Sequence, residues 1–263
     1  MTLADGTPIW FELVTPDPAA AADFYAALFD WRFTTSPAPE HGGYRIAAAP
    51  DGDRIAGLMA PSPGMADAVT GWSIYFLSHD LAATLALATE HGGRVVFGPM
   101  AIPHVGHFAV LLDPQGVRFT LLQPDAEDAA RPFRQAPDAR GHCVWTELST
   151  PDPDGAFAFY GALFGWTKAD AMPMGEMGEY AFLGAGEARP GAVMSATLTH
   201  APAQWNSYML VADIDAALGL AEARGGRVIQ GPDPIPGGDY SANIVDLHGH
   251  QIGLVGPRRG TAA

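Results

Sequence analysis

Residues 9–31 read IWFELVTPDPAAAADFYAALFDW, and residues 144–166 read VWTELSTPDPDGAFAFYGALFGW. Fourteen of the twenty-three aligned positions are identical, with Trp10 falling on Trp145. Each stretch begins as a short apolar run, the pattern of a strand, and ends with apolar residues at helical spacing. Asp17 is placed to cap the first helix, with Pro18 in its first turn. Ala22, Phe24, Tyr25, Leu28 and Phe29 then form its core face. Inside each strand sits a glutamate, Glu12 or Glu147, where an unpaired carboxylate is costly.

The likeness continues along the chain. Residues 72–99 (WSIYFLSHDLAATLALATEHGGRVVFGP) match 205–232, and residues 110–122 (VLLDPQGVRFTLL) match 243–255. An internal repeat of this length means two copies of one domain. The first is expected over 1–124 and the second over 141–263, joined by a polar, proline-containing linker at 125–140.

The first copy reads as strand Ile9–Thr15, helix, and short strands near Tyr44–Ala49 and Ile55–Met59. A second round follows: strand Trp72–Ser78, helix Leu81–His91, a Gly92-Gly93 stop, and strands Arg94–Phe97, His107–Leu112 and Val117–Leu122. The Asp113–Gly116 turn joins the last two. The chain is therefore of the α+β class, built from four β-α-β-β-β units.

Composition narrows the functions. The net charge is −15 and Lys168 is the single lysine, so nucleic acid is not an expected partner. Cys143 is the single cysteine, which excludes an intramolecular disulfide and a cysteine metal cluster. No apolar stretch is long enough to span a bilayer and no secretory signal is visible, so a cytoplasmic protein with no membrane partner is expected. A G-x-S-x-G elbow, a Walker A loop and a dinucleotide glycine fingerprint are all missing.

The order strand, Asp, FYxALF helix, then helix-GG and DPxG resembles the vicinal-oxygen-chelate superfamily, which includes glyoxalase I, extradiol dioxygenases and bleomycin-resistance proteins. The wording ELxTPDP…FYxALFxW is most similar to its tandem-repeat, glyoxalase-like members from actinobacteria. The resemblance implies that paired units curl into partly open eight-stranded barrels, one cavity per domain. It also implies metal-ligand positions, and these fall on Trp10, Ser73 and Thr120 in the first domain and on Trp145, Asn206 and Gly253 in the second. The fourth strands, IAGLM and GAVM, offer no donor. Transition metals need imidazole, carboxylate or thiolate, so no metal and no other cofactor is expected.

Strand residues alternate between faces. If Trp10 and Trp145 face the cavity, so do Glu12 and Glu147. The same parity places Ser73 and Tyr75, Asn206 and Tyr208, Arg118 and Thr120, and Gln251 on that face, with Tyr44 and Tyr180 opening the third strands. His107, and Tyr240 at the matching place, open strands that line the cavity. His248 and His250 flank the Gly249 turn and are expected to be exposed. Met172, Met174 and Met177 fit either an adaptable pocket wall or simple loop packing.

Two readings of the glutamates stand. Either they move protons, helped by His107 or Tyr240, or they brace the barrel by accepting hydrogen bonds from backbone, indole or arginine donors. Three functions follow: a metal-independent lyase, isomerase or cyclase acting on a small hydrophobic or aromatic molecule in secondary metabolism; a binding or self-resistance protein that sequesters such a molecule; and a metal-dependent glyoxalase or dioxygenase. The expected partner is a small organic ligand, and the protein is expected to be a monomer or homodimer.

Overall fold

The computed structural model describes residues 3–37, 41–61, 70–126 and 131–259. The first half runs β1 (Pro8–Val14), α1 (Pro18–Phe29), β2 (Arg32–Thr35), β3 (Arg45–Ala48), β4 (Arg54–Met59), β5 (Gly71–Leu77), α2 (Leu81–Glu90), β6 (Arg94–Ile102), β7 (Gly106–Leu112) and β8 (Arg118–Pro124). The second repeats it as β9 (Cys143–Thr150), α3 (Pro153–Phe164), β10 (Thr167–Pro173), β11 (Glu179–Ala185) and β12 (Ala188–Ser195). A one-turn helix α4 (Ala196–Thr199) precedes β13 (Gln204–Leu210), α5 (Ile214–Ala223), β14 (Arg227–Pro234), β15 (Tyr240–Val245) and β16 (Gln251–Gly256). The two eight-stranded sheets have equivalent orders, β2-β3-β4-β1-β5-β8-β7-β6 and β10-β11-β12-β9-β13-β16-β15-β14. Neither closes on itself, so the α+β fold with partly open sheets is as the sequence implies. No helix among the described residues is long and apolar enough to cross a membrane.

The helix starts follow the Pro-Asp-Pro chemistry. Asp17 Oδ1 accepts from the Ala19 and Ala20 amides at 3.0 Å each. The bond from Ala20 leads in holding its carboxyl below the ordinary aspartate value. Asp152 caps α3 in the same way through Gly155. One element goes beyond the sequence pattern: β2 is a four-residue, largely exposed strand paired with β3, too short to show an alternation.

The chain forms two compact units that do not follow its sequence halves. One gathers most of β5 with α2 and β6–β8, and most of β9 with α3 and β10–β12. The other gathers most of β1 with α1 and β2–β4, and most of β13 with α5 and β14–β16. In the first of these, Tyr160 of α3 donates to Asp113 Oδ2 at 3.2 Å and accepts from Trp205 Nε1 at 3.0 Å. Asp113 also accepts from the Gln115 and Val117 amides of its own turn. In the second unit, Tyr25 of α1 donates to Asp246 Oδ2 at 2.9 Å and accepts from Trp72 Nε1 at 3.0 Å.

Burial first, and the neighbouring carboxylate second, raise both phenols well above the ordinary tyrosine value, so both remain donors. The phenylalanine beside each tyrosine rests on a glycine. A Cβ on Gly93 would stand 2.9 Å from the Phe159 ring, and one on Gly226 would stand 3.0 Å from Phe24. The repeated FY and GG pairs, with the DPQG and DLHG turns, thus belong to one packing device, used once in each unit.

Candidate functional site: paired tryptophan–tyrosine–glutamate clusters

β1 alternates as its sequence requires. Phe11 and Leu13 are fully buried, while Trp10 and Glu12 are half-buried on the other face. Between them stands Tyr44, just ahead of β3. Its hydroxyl accepts from Trp10 Nε1 at 2.9 Å and donates to Glu12 Oε2 at 3.0 Å. β9 builds the same cluster: Trp145 Nε1 donates to the Tyr180 hydroxyl at 2.8 Å, which donates to Glu147 Oε2 at 2.8 Å. The glutamates thus take a hydrogen bond from a tyrosine, and the indole bonds to that tyrosine. Burial, followed by the charge of Glu12, raises the Tyr44 phenol well above its usual value and keeps it a donor.

The two clusters are fitted differently. Glu12 is opposite Gly57 in the β1–β4 register, and Glu147 is opposite Ala192 in β9–β12. A Cβ on Gly57 would lie 1.7 Å from the Tyr44 hydroxyl oxygen, so the phenol occupies the space that the second cluster gives to a methyl group.

The remaining sequence-named residues fall into smaller groups. Ser73 Oγ lies 3.0 Å from Thr120 Oγ1. Tyr75 is buried opposite Thr120, with its ring centroid 6.1 Å from that of Phe108. Arg118 is half-buried on β8 and Asn206 is buried on β13. Tyr208 lies opposite Gly253, and a Cβ there would meet its ring at 2.3 Å. Its hydroxyl accepts from Asn243 Nδ2 at 3.1 Å. Asn243 Nδ2 also donates to Gln230 Oε1 at 2.7 Å, and Gln251 Nε2 reaches Asn243 Oδ1 at 3.4 Å. The parity of β15 and its pairing with β16 is the signal that would have pointed to Asn243.

His107 is exposed. Tyr240 is half-buried, with the Arg258 guanidinium 4.6 Å from its ring centroid and Arg258 bound to Asp215. Neither belongs to a tryptophan–tyrosine–glutamate cluster. His248 and His250 are half-buried rather than exposed, and His248 Nδ1 lies 3.0 Å from Thr15 Oγ1. The hairpin that carries them is held inward by Asp246, which binds both their amides.

Among the described residues, Asp51, Asp53 and His142 form a group with metal-ligand chemistry. The Arg134 guanidinium already sits 3.0 Å from Asp51 Oδ2, the oxygen that lies 2.9 Å from His142 Nε2. That oxygen is engaged in an ion pair at the surface.

The chain belongs to the Glyoxalase/Bleomycin resistance protein/Dioxygenase superfamily, whose model matches residues 8–121 and again 141–254. Among curated relatives, it is 32% identical over 253 residues to CFP32 of Mycobacterium tuberculosis, which carries a glyoxylase name, covering 96% of this chain and 95% of that one. It is 30% identical over 278 residues to the anthracycline biosynthesis protein DnrV of Streptomyces peucetius, covering 99% and 96%. The fold is shared with the Mn(II)-bound glyoxalase of Novosphingobium aromaticivorans (TM-score 0.62, 16% identity, 96% and 81% coverage). It is shared also with an extradiol ring-cleaving dioxygenase of B. fuscum (TM-score 0.66, 13% identity, 99% and 74% coverage).

Proposed function

We propose that this protein acts in the cytoplasm on a small hydrophobic or aromatic organic molecule of secondary metabolism, by proton transfer and without the metal used by members of its fold. The observation that carries the reading is the repeated cluster: a glutamate on an aromatic-walled sheet face, oriented by a tyrosine hydroxyl at 2.8–3.0 Å. A carboxylate held this way suits general-base catalysis. It would take a proton from an activated C–H or O–H of the substrate and return it elsewhere on the same molecule in an isomerisation or cyclisation, or to the departing group in an elimination. The Trp10 and Trp145 indoles would supply a flat apolar wall. The relative named for anthracycline biosynthesis supports an aromatic polyketide as the molecule.

The side chains at the family's metal positions do not fit a metal ion. Trp10, Ser73 and Thr120 offer no imidazole or carboxylate, nor do Trp145, Asn206 and Gly253. The Tyr208 ring already fills the volume above Gly253.

One observation favours sequestration as a second reading. The tyrosine donates to the glutamate in both halves, so each cluster is complete by itself and serves equally as a rigid wall for a bound molecule.

The test is turnover and binding of a panel of hydroxylated anthraquinones by wild type, Glu12→Gln and Glu147→Gln, with and without EDTA. Proton transfer predicts that at least one Gln variant loses turnover by 100-fold or more (about 10²–10⁴ for a general base) while keeping its fold, and that EDTA has no effect. Tight binding with unchanged ligand recovered selects sequestration. Activity lost on chelation and restored by one metal equivalent overturns the metal-free reading.

A further inference from the structure

The first and third of the four β-α-β-β-β modules, β1 to β4 and β9 to β12, share their tryptophan, tyrosine and glutamate, but differ two residues beyond the glutamate. β1 continues Glu12-Leu13-Val14 and β9 continues Glu147-Leu148-Ser149. Ser149 shares a strand face with Trp145 and Glu147, roughly 7 Å along the strand from the glutamate. It is 6% exposed, and its Oγ has no hydrogen-bond partner among the described residues. A buried hydroxyl left in that state is destabilising, and a strand face of this kind accepts valine readily, as Val14 at the equivalent position shows.

The surroundings of Ser149 are those of a binding face. In the β9–β12 ladder it is opposite Met194, and Met172 of β10 is opposite Tyr180 of β11. Register partners share a face. Thioethers, a phenol and an indole thus border the unpaired hydroxyl and the glutamate. In the first module the matching partner of Val14 is Met59, so the hydroxyl is the polar addition of the third module.

Building on the proposed function, we infer that Ser149 is a specificity-determining ligand contact: its Oγ hydrogen-bonds an oxygen substituent, hydroxyl or carbonyl, of a planar aromatic molecule lying against Trp145. The third-module cluster is then the working site for oxygenated ligands. The first-module cluster, with Val14, holds at most their apolar portions.

Ser149→Val copies the first module and makes the two roles of the hydroxyl move in opposite directions. Removing an unsatisfied buried group raises the thermal midpoint, while loss of one hydrogen bond weakens binding of 1,8-dihydroxyanthraquinone, followed by tryptophan fluorescence, about 5- to 10-fold. The reciprocal control is Val14→Ser, which should lower the midpoint without improving affinity. If Ser149→Val lowers the midpoint, the hydroxyl has an internal partner and the inference fails. If the midpoint rises and affinity is unchanged, the hydroxyl touches no ligand and the inference fails. If wild type binds none of the anthraquinone panel, the proposed function itself fails, and this site assignment fails with it.

Discussion

Two cross-strand rows carry the same backbone and opposite linings. In β5-β8-β7-β6, Tyr75 is opposite Thr120, Thr120 opposite Val110, and Val110 opposite Phe97. In β13-β16-β15-β14, Tyr208 is opposite Gly253, Gly253 opposite Asn243, and Asn243 opposite Gln230. Only the tyrosine is kept. Thr120 puts a β-branched side chain under Tyr75, whose ring packs near Phe108. Gly253 has no side chain, so Tyr208 lies down over it and its hydroxyl reaches Asn243. One row is apolar and the other is a chain of amides. The repeat preserves what holds the modules together, the Tyr–Asp–Trp staples and the FY-on-glycine contacts, and lets the lining drift. The two copies share one scaffold and carry two different linings.

The comparison is broken most forcefully at Gly253. An added methyl group meets the root of the Tyr208 ring, 2.3 Å from Cδ1 and 2.5 Å from Cγ. Rotating the ring does not relieve such a contact, and Tyr208 is 6% exposed. Gly253→Ala should cost about 2–3 kcal/mol in urea unfolding, the upper part of the range for overpacking a buried site. Thr120→Ala, at the matching place, should cost about 1 kcal/mol, for one hydrogen bond with Ser73. Equal penalties would mean that the tyrosines are packed alike after all.

A milder version applies to the glutamate clusters. Gly57→Ala places a methyl group 1.7 Å from the Tyr44 hydroxyl, which lies at the far end of a half-buried side chain and can swing aside. The expected loss is about 1–2 kcal/mol, for the bonds to Trp10 and Glu12, with Glu12 released from its tyrosine. Ala192→Gly in the other cluster breaks no hydrogen bond and should cost about 1–2 kcal/mol, from added backbone freedom and the loss of one buried methyl group. A crystal structure of Gly57→Ala with the Trp10–Tyr44–Glu12 chain intact would mean that the phenol does not depend on the glycine.

Much of this was legible in the sequence because it is local. The repeat, the Asp caps and the strand parity that puts Trp10 with Glu12 and Trp145 with Glu147 are all carried by neighbours in the chain. The third member of each cluster was visible only as a strand-opening tyrosine. That Tyr44 and Tyr180 bridge indole to carboxylate depends on the β3–β4–β1 and β11–β12–β9 pairings, which bring together residues more than thirty positions apart. The staples were less legible still: Tyr25 and Asp246 are 221 residues apart, and the sequence offered them only as a core helix residue and a turn former. His107 was read from its strand alone, and the β7–β8 register sets Val110, not His107, opposite Thr120. It sits at the beginning of β7, where the sequence-based reading lines the cavity, yet it is exposed while Phe108 beside it is buried. Ser149 carried no motif, and its burial without a partner is a property of the folded sheet alone.

The two staples sharpen the comparison at its smallest scale. Tyr160 reaches Asp113 at 3.2 Å, against 2.9 Å for Tyr25 and Asp246. For Asp113, burial outweighs the hydrogen bonds it accepts and raises the carboxyl above its ordinary value. A carboxyl raised in the folded state holds its proton more firmly there than in the unfolded chain, where it titrates near 3.9. Its contribution is therefore complete below that pH and is lost as the pH rises through the higher folded value. Asp113→Asn cannot ionise and lacks this loss. The stability of wild type relative to Asp113→Asn, from urea unfolding between pH 3 and pH 7, should fall as the pH rises. A gap that widened with pH instead would mean that the turn amides and Tyr160 favour the charged carboxylate more than burial opposes it.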